Sequence, residues 1–134
     1  LKDNNLLDHL IITGFLSEGE LNYCLQNASV LMINKPISKQ NKYNFPTKVG
    51  DYLNSKTPVV IAAKGLELNN YITNGKEAIV VSPDDINEMA RNIFNLLLDS
   101  NENKRIGMKG QGCAQKNFHY SAHSKNITQF LTNL

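Results

Sequence analysis

Four short apolar runs, separated by stretches with helical periodicity, constrain the fold of this chain more than any other feature. The runs are HLIITGF, SVLMIN, PVVIAA and EAIVVS, at residues 9–15, 29–34, 58–63 and 77–82. Each run is apolar on both faces, which is typical of strands in a parallel sheet that helices cover on both sides. The sequence therefore predicts an α/β fold, a Rossmann-like parallel sheet of about four strands flanked by helices. Doubly wound sheets commonly have five or six strands, so we expect this sheet to be incomplete on its N-terminal side.

Start signals and helical periodicity fill the intervals between the runs. Ser17 and Glu20 have the spacing of a capping box. Ser82 followed by Pro83 predicts an N-cap and a first helical position, and Ser121 predicts the N-cap of the last helix. The predicted helices cover residues 18–27, 47–54, 66–73, the stripe 86–97, and two closing segments at about 101–116 and 121–132.

Apolar residues near the C-terminal end are expected to pack on the domain. Ile127, Phe130 and Leu131 share one face of the last predicted helix, and Phe118 and Tyr120 lie where the chain turns into it. The periodicity predicts that the three helix side chains point inward, and the two aromatic side chains are expected to pack where this helix turns back on the domain.

Composition and charge exclude several classes of protein. The chain has 134 residues and a formal charge of +2, which is too small and too scattered for a nucleic-acid-binding surface. It has no apolar run of the length needed to span a membrane. Cys24 and Cys113 match no metal or redox spacing, so we expect two reduced thiols, which favours the cytoplasm. His9, His119 and His123 show no metal-ligand spacing and are expected to be structural or surface residues.

The polar stretch NFPTKVGDYLN is the candidate functional site. The predicted helix at Thr47, Lys48 and Val49 begins at the carboxyl edge of the sheet, where backbone N–H groups and the helix dipole attract a phosphate. Asp51, one turn further, could accept hydrogen bonds from two ribose hydroxyls. An ordinary helix start with dipole compensation would show the same residues, so both interpretations remain open.

The order of segments resembles one known family. FPTKVGDYLNSKTPVVIA, at residues 45–62, resembles the nucleotide-binding segment of retaining glycosyltransferases of the GT-B class, family 4 or glycosyl transferases group 1. In that family the pattern is similar to P-x-K-hydrophobic-x-E-Y-L-A-x-G-x-P-V-V. Residues 11–33, 64–100 and 105–131 resemble the neighbouring segments, in the same order.

The resemblance implies roles for residues at matching positions. Asp51 stands where the family has the second glutamate of its paired-acid motif, which binds the ribose; aspartate keeps the charge and shortens the reach by one methylene. Thr47, Lys48 and Val49 fall where the family cradles the diphosphate. The turn that faces the nucleotide base corresponds to Gly14, Phe15 and Leu16.

The first acid of the paired motif, which holds the donor sugar in the family, is absent. In the family motif the first acid precedes the residue that matches Asp51, and counting back from Asp51 leads to Tyr43. If the loop is longer and the count starts from Pro46, it leads to Asn41, and neither residue is acidic. The amides of Asn41 and Asn44 are the candidate donor-sugar ligands.

The resemblance also implies what a complete protein would do. It implies a glycosyltransferase, of hexosyltransferase type, that moves a sugar from a nucleotide-diphosphate sugar to a saccharide or lipid-linked acceptor without a metal or other cofactor. Residues 1–134 would be a partial C-terminal nucleotide-sugar-binding domain that is inactive without the missing N-terminal domain. The expected setting is polysaccharide biosynthesis in the cytoplasm, with the inner face of the cell membrane as an open alternative.

Two other functions remain open at this point. The chain could be a non-catalytic Rossmann-like interaction module derived from a GT-B enzyme, as the absent first acid suggests. It could also belong to another GT-B enzyme such as a nucleotide-sugar epimerase, which fits the P-x-K-x-x-D-Y-L stretch poorly. An incomplete sheet leaves an exposed strand edge, so we also expect self-association.

Overall fold

A computed structural model describes residues 6–36, 38–39, 45–63 and 67–133 of the chain. In these residues the strands are β1 (Leu31–Asn34), β2 (Val59–Ala62) and β3 (Ile79–Val81). Short 3₁₀ turns occupy Leu7–His9 and Leu68–Asn70. The helices are α1 (Glu18–Asn27), α2 (Lys48–Asn54), α3 (Ile86–Leu98), α4 (Ser100–Asn117) and α5 (Tyr120–Thr132).

The three strands form one parallel sheet in the order β1-β2-β3. Leu31 pairs with Val59, and Val60 pairs with Ile79. All four residues of the central strand β2 are buried, as expected for a β-branched run with neighbours on both edges and helices on both faces. The predicted α/β fold with a parallel sheet flanked by helices is confirmed.

The core has one layer on each face of this sheet. On one face, Val59 and Ile61 pack with Val49 and Leu53 of α2 and with Ala114 of α4. The opposite layer consists of buried Val60, Ala62 and Val81 of the strands together with Leu96 of α3 and Ile106 of α4. The alternation of side chains along β2 thus supplies both layers.

Helix α4 runs from the amino edge of the sheet to its carboxyl edge. Near its start, Gly107 lies against the backbone of Lys56 and Pro58, just before β2 begins. Just beyond its end, Phe118 packs on Gly50, in the first turn of α2. Since α2 connects the end of β1 to the start of β2, α2 and α4 are antiparallel and meet at the carboxyl edge.

Two polar contacts tie the N-terminal part of the chain to this body. The buried hydroxyl of Thr57 donates to the Leu25 carbonyl oxygen at 2.7 Å. The side-chain amide of Asn103 donates to the carbonyl oxygens of Ser29 at 2.9 Å and of Leu96 at 3.1 Å. Leu25 is the buried residue of α1, so these bonds act where apolar packing is sparse.

The first apolar run, residues 9–15, does not form the predicted strand. Residues 10–16 have no regular secondary structure, and Ile11 and Ile12 are 85% and 83% exposed. A strand exists only where a neighbour supplies hydrogen bonds, and no described strand lies beside this run. The described sheet therefore has three strands rather than about four.

Several helix boundaries also differ from the predictions. Of the helix predicted at 66–73, the described part contains only the 3₁₀ turn Leu68–Asn70. The N-cap of α3 is Asp85, whose carboxylate accepts from the Glu88 N–H at 2.8 Å, so Ser82 and Pro83 precede the helix in a turn. The later start of α3 arises because several adjacent residues could cap the helix, and the local backbone selects Asp85.

The capping box of α1 is present as predicted, with Ser17 and Glu20 bonded reciprocally. At the last helix the prediction was wrong. The N-cap of α5 is His119, whose ring accepts from the Ser121 N–H, and not Ser121 itself. A helix N-cap needs an acceptor atom close to the first N–H groups, and the imidazole supplies it here.

The apolar stripe of α5 is exposed, contrary to the expectation that it faces inward. Ile127, Phe130 and Leu131 lie on the surface, as does Tyr120. Phe118 alone of the five C-terminal candidates packs against the core. Periodicity shows that one helix face is apolar, but it does not supply the neighbour that would cover it.

Both cysteines are free thiols. Cys24 is exposed, whereas Cys113 is buried and its thiol donates to the Tyr71 carbonyl oxygen at 3.2 Å. Burial raises the pKa of the Cys113 thiol, so this side chain is a protonated packing residue. Within the described ranges, no helix combines the length and apolarity required to cross a bilayer.

Candidate functional site

Helix α2 and the C-terminal part of α4 enclose an open cleft, which begins at the carboxyl edge of the sheet and extends along α2 to its last residue. Its volume is about 440 Å³. Helix α2 and the segment before it supply Phe45, Thr47, Gly50, Asp51 and Asn54, and α4 with the residues after it supplies Ala114, Asn117, Phe118 and His119. In open parallel sheets, ligands bind at this edge.

Three aromatic rings hold the entrance to α2 against the end of α4. The ring centroids of Phe45 and Phe118 are 5.6 Å apart, and Tyr71 lies 5.8 Å from Phe45 and 5.3 Å from Phe118. A Cβ on Gly50 would lie 3.3 Å from the Phe118 Cβ, so the helix approaches this ring closely. The cluster fixes the position of Thr47 and Asp51 relative to α4.

Asp51 supplies an accessible carboxylate to the cleft. It is exposed, and no hydrogen bond or ion pair engages its side chain in the part of the chain that the structure describes. Thr47 is also exposed, and its hydroxyl makes no capping bond to the helix. An unpaired carboxylate beside a free hydroxyl can bind a ligand that offers hydroxyl donors.

The backbone N–H groups of this turn are not all available. The Val49 N–H donates to the Pro46 carbonyl oxygen at 2.9 Å, and the Val49 side chain is fully buried. Thr47 already has helical φ and ψ, so the first hydrogen-bonded turn begins at Pro46. The Val49 N–H, which was expected to help bind a phosphate, is therefore bonded to the backbone, because the residues before α2 form a turn that leads into the helix.

Comparison with known proteins identifies the family and the fold of the chain. Residues 1–99 match the sequence model of the family described as Glycosyl transferases group 1. The chain belongs to this family. A search of curated proteins found no match.

The fold is that of a GT-B glycosyltransferase fragment. Sucrose-phosphate synthase from Thermosynechococcus elongatus superposes with a TM-score of 0.77 over 98% of this chain, at 21% sequence identity. This chain spans 32% of the length of that protein. Helices α4 and α5, which lie beyond the family match, fall within this structural likeness.

The structure brings only some of the predicted site residues of this glycosyltransferase family member together. Thr47 and Asp51 line the cleft, whereas Lys48 is exposed beside it and is not part of the lining. Asn41 and Asn44, the predicted donor-sugar ligands, lie outside the described residues. The roles of all these residues in binding stay predictions.

The turn predicted to face the nucleotide base does not line the cleft. Gly14 has φ of 68°, a left-handed conformation that suits glycine, and Phe15 is fully exposed. Leu16 is half-buried. No described neighbour lies within 4 Å of the position that a Cβ on Gly14 would occupy, so this turn projects from the body.

The cleft residues that come from α4 and from the segment after it were not recognised as site residues from the sequence. Asn117, Phe118 and His119 follow one another at the end of α4, and His119 was expected to be structural or on the surface. The NFHYS segment carries no ligand-binding pattern; only the packing of α4 against α2 places it beside Asp51. The described ranges contain no group of three or more metal-ligating side chains.

Proposed function

We propose that this chain is the donor-binding part of a glycosyltransferase that moves a sugar from a nucleotide-diphosphate sugar to a saccharide or lipid-linked acceptor. One observation carries the proposal. Asp51, at the position of the ribose-binding acid of the family, presents a carboxylate without a partner among the described residues to a cleft at the carboxyl edge of the sheet. Family membership supplies the reaction class.

In this proposal Asp51 accepts hydrogen bonds from the two ribose hydroxyls. Thr47 contributes its hydroxyl and Lys48 its exposed ammonium to the diphosphate. During transfer the bond between the sugar and the diphosphate breaks, and negative charge grows on the departing phosphate oxygen. Positive charge and hydrogen-bond donors at that point stabilise the leaving group, so the scheme needs no metal or other cofactor.

The remaining predicted contacts complete the donor site in the proposal. The segment Gly14, Phe15 and Leu16, which lies outside the cleft lining, faces the nucleotide base, and Asn41 and Asn44 hold the donor sugar. The acceptor site and the rest of the phosphate contacts belong to an N-terminal domain, so the 134-residue chain does not transfer sugar alone. We place the protein in polysaccharide biosynthesis, in the cytoplasm or at the inner face of the membrane, as an enzyme of hexosyltransferase type.

Titration of UDP and GDP into the chain, followed by two-dimensional NMR and calorimetry, tests the proposal. One nucleotide should bind, and Asp51→Asn should weaken binding at least about tenfold, because an amide retains the shape but not the charge of the carboxylate. Asp84→Asn, an exposed aspartate in the turn before α3, is the matched control and should bind as the unmodified chain does. Absence of binding by the unmodified chain to both nucleotides would contradict the proposal.

The exposed apolar side chains favour a second candidate function. Ile11, Ile12 and Phe15 project from the body, as they would in a non-catalytic module that binds another protein surface. Such a module would bind neither UDP nor GDP. The same titration therefore separates the two functions.

A further inference from the structure

His119 lies in the same cleft as Asp51, on the opposite wall. It follows the last turn of α4 and caps the first turn of α5. Asp51 and Thr47 line the α2 side of the cleft, and His119 lines it at the junction of α4 and α5. A ligand that fills this cleft therefore meets side chains from two helices that are distant in sequence.

The hydrogen bonds of the His119 ring determine which nitrogen carries a proton. The backbone N–H of Ser121 donates to Nδ1 at 3.3 Å, and the Ser121 hydroxyl lies 2.7 Å from the same nitrogen. A nitrogen that accepts from an N–H has no proton of its own. With Nδ1 assigned as the acceptor that caps α5, the neutral imidazole carries its proton on Nε2, and Nε2 is a donor in the protonated ring as well.

The ring is held in place by a second contact. The centroids of His119 and Tyr120 are 4.5 Å apart, with the ring planes inclined by 35°. No bond engages Nε2 within the described part of the chain. This nitrogen is a donor on an oriented side chain and remains available to a ligand.

The neighbouring polar side chain on this wall is already occupied. The Asn117 amide nitrogen donates to the Cys113 carbonyl oxygen at 3.1 Å and approaches the Cys113 sulfur at 3.4 Å. The backbone carbonyl oxygen of Asn117 is bonded to His123 Nε2 at 2.8 Å. On the α4 side of the cleft, His119 is therefore the described side chain with a donor to spare.

We propose that His119 is a further ligand-binding residue of this cleft, whose Nε2–H donates to a phosphate oxygen of the bound nucleoside diphosphate. This inference rests on the proposed function. Asp51 takes the hydroxyl end of the nucleotide, and His119 takes the anionic end from the facing helix junction. An imidazole N–H is a suitable donor for a phosphate oxygen, and a bond to a charged acceptor is stronger than one between neutral groups.

Two substitutions at His119 separate ligand binding from helix capping. In His119→Asn the side-chain oxygen would lie near the present position of Nδ1, so this variant retains the α5 cap and removes the Nε2 donor. His119→Gln places an amide N–H near the position of Nε2 and removes the capping atom. We expect His119→Asn to weaken UDP or GDP binding about tenfold while leaving stability nearly unchanged, and His119→Gln to retain most of the binding. If His119→Asn binds the nucleotide normally and His119→Gln loses stability and binding, His119 only caps α5, and the inference is overturned.

NMR of the imidazole nitrogens supplies a readout that a purely structural role would not change. On addition of the nucleotide that binds, the Nε2 resonance of His119 should shift, while that of His123, already bonded to Asn117, should not. His9→Gln, on the Leu7–His9 turn and outside the cleft lining, is the control for a general effect of histidine replacement.

The two proposals fail in different ways. If the unmodified chain binds a nucleotide and both His119 variants bind equally well, His119 is not a ligand residue and the proposed function stands. If the unmodified chain binds neither UDP nor GDP, the proposed function fails and the inference fails with it.

Discussion

Gly107 of α4 lies directly against the backbone carbonyl of Lys56, where the chain turns from α2 into β2. A Cβ at this position would overlap the Lys56 carbonyl oxygen and would lie 2.8 Å from its carbonyl carbon. Lys56 itself has φ of 68°, which ends α2 sharply. The contact sets how closely α4 approaches the sheet, and therefore where its far end meets the first turn of α2.

Gly107→Ala should destabilise the fold strongly. Backbone atoms fill the space that the methyl group needs, so α4 must shift, and we expect a loss of about 3 kcal/mol in the free energy of unfolding. Gly112→Ala in the same helix is the matched control, since no described atom lies within 4 Å of a Cβ there. That variant should gain about 0.5–1 kcal/mol from helix propensity. Urea denaturation measures both, and equal effects of the two variants would contradict the prediction.

Thr57→Val should loosen α1 from the body. Valine keeps the shape of the buried side chain but removes the hydroxyl that donates to the Leu25 carbonyl oxygen. We expect a loss of about 1–2 kcal/mol, together with faster hydrogen exchange in α1, because the bond compensates for burial of a polar pair. Thr73→Val, at an exposed position, should change neither quantity. Unchanged exchange in α1 after Thr57→Val would show that this bond does not anchor the helix.

Glu77→Gln should lower stability at neutral pH and much less at acid pH. Burial acts to raise the pKa of the Glu77 carboxyl, but bonds from the Thr73 N–H at 2.9 Å and from Lys76 at 3.1 Å outweigh it, and the pKa is lower than usual. A lowered pKa in the folded state stabilises the protein fully above the unfolded pKa of about 4.3, and this stabilisation is lost as pH falls through the folded pKa.

The measurement is urea denaturation of the unmodified chain and of Glu77→Gln at a series of pH values from about 7 to 3. The difference in unfolding free energy should be about 1 kcal/mol at pH 7 and should shrink toward zero as the carboxylate is protonated. Glu67→Gln, at an exposed position nearby, is the control. A difference that stays constant with pH would contradict the assignment to the charged form.

The outer edge of β1 should support self-association. No described strand pairs with this edge, and Met32 is 47% exposed on it. We expect sedimentation velocity to show concentration-dependent association, reduced by Met32→Lys, because a lysine on an edge strand opposes pairing with a second edge. Ile127→Lys, at an exposed apolar residue of α5, is the control: it should leave self-association unchanged if the β1 edge is the contact surface. A monomer at all concentrations would refute the prediction.

The strands and the candidate site differ in how much of them could be predicted. The three runs that became β1, β2 and β3 are apolar and flanked by helical patterns, and each was placed within two residues of its observed bounds. Asp51 and Thr47 were assigned to one edge because the topology of a parallel sheet follows from alternating strands and helices. The ring of His119 was not assigned, because its distance to α2 depends on residues such as Gly107, whose role appears only in the packed structure.

The sequence by itself determined the order of β1 to β3 and of the five helices α1 to α5, and the family to which the chain belongs. These depend on local signals, such as the Ser17–Glu20 capping box and the β-branched run of β2, that act between neighbouring residues. Tertiary structure decided that residues 9–15 remain unpaired, that the apolar face of α5 is exposed, and that His119 faces the cleft of Asp51. Strand pairing, burial of a helix face and the approach of two side chains to one cleft all require a partner that is distant along the chain. No local pattern specifies where that partner lies.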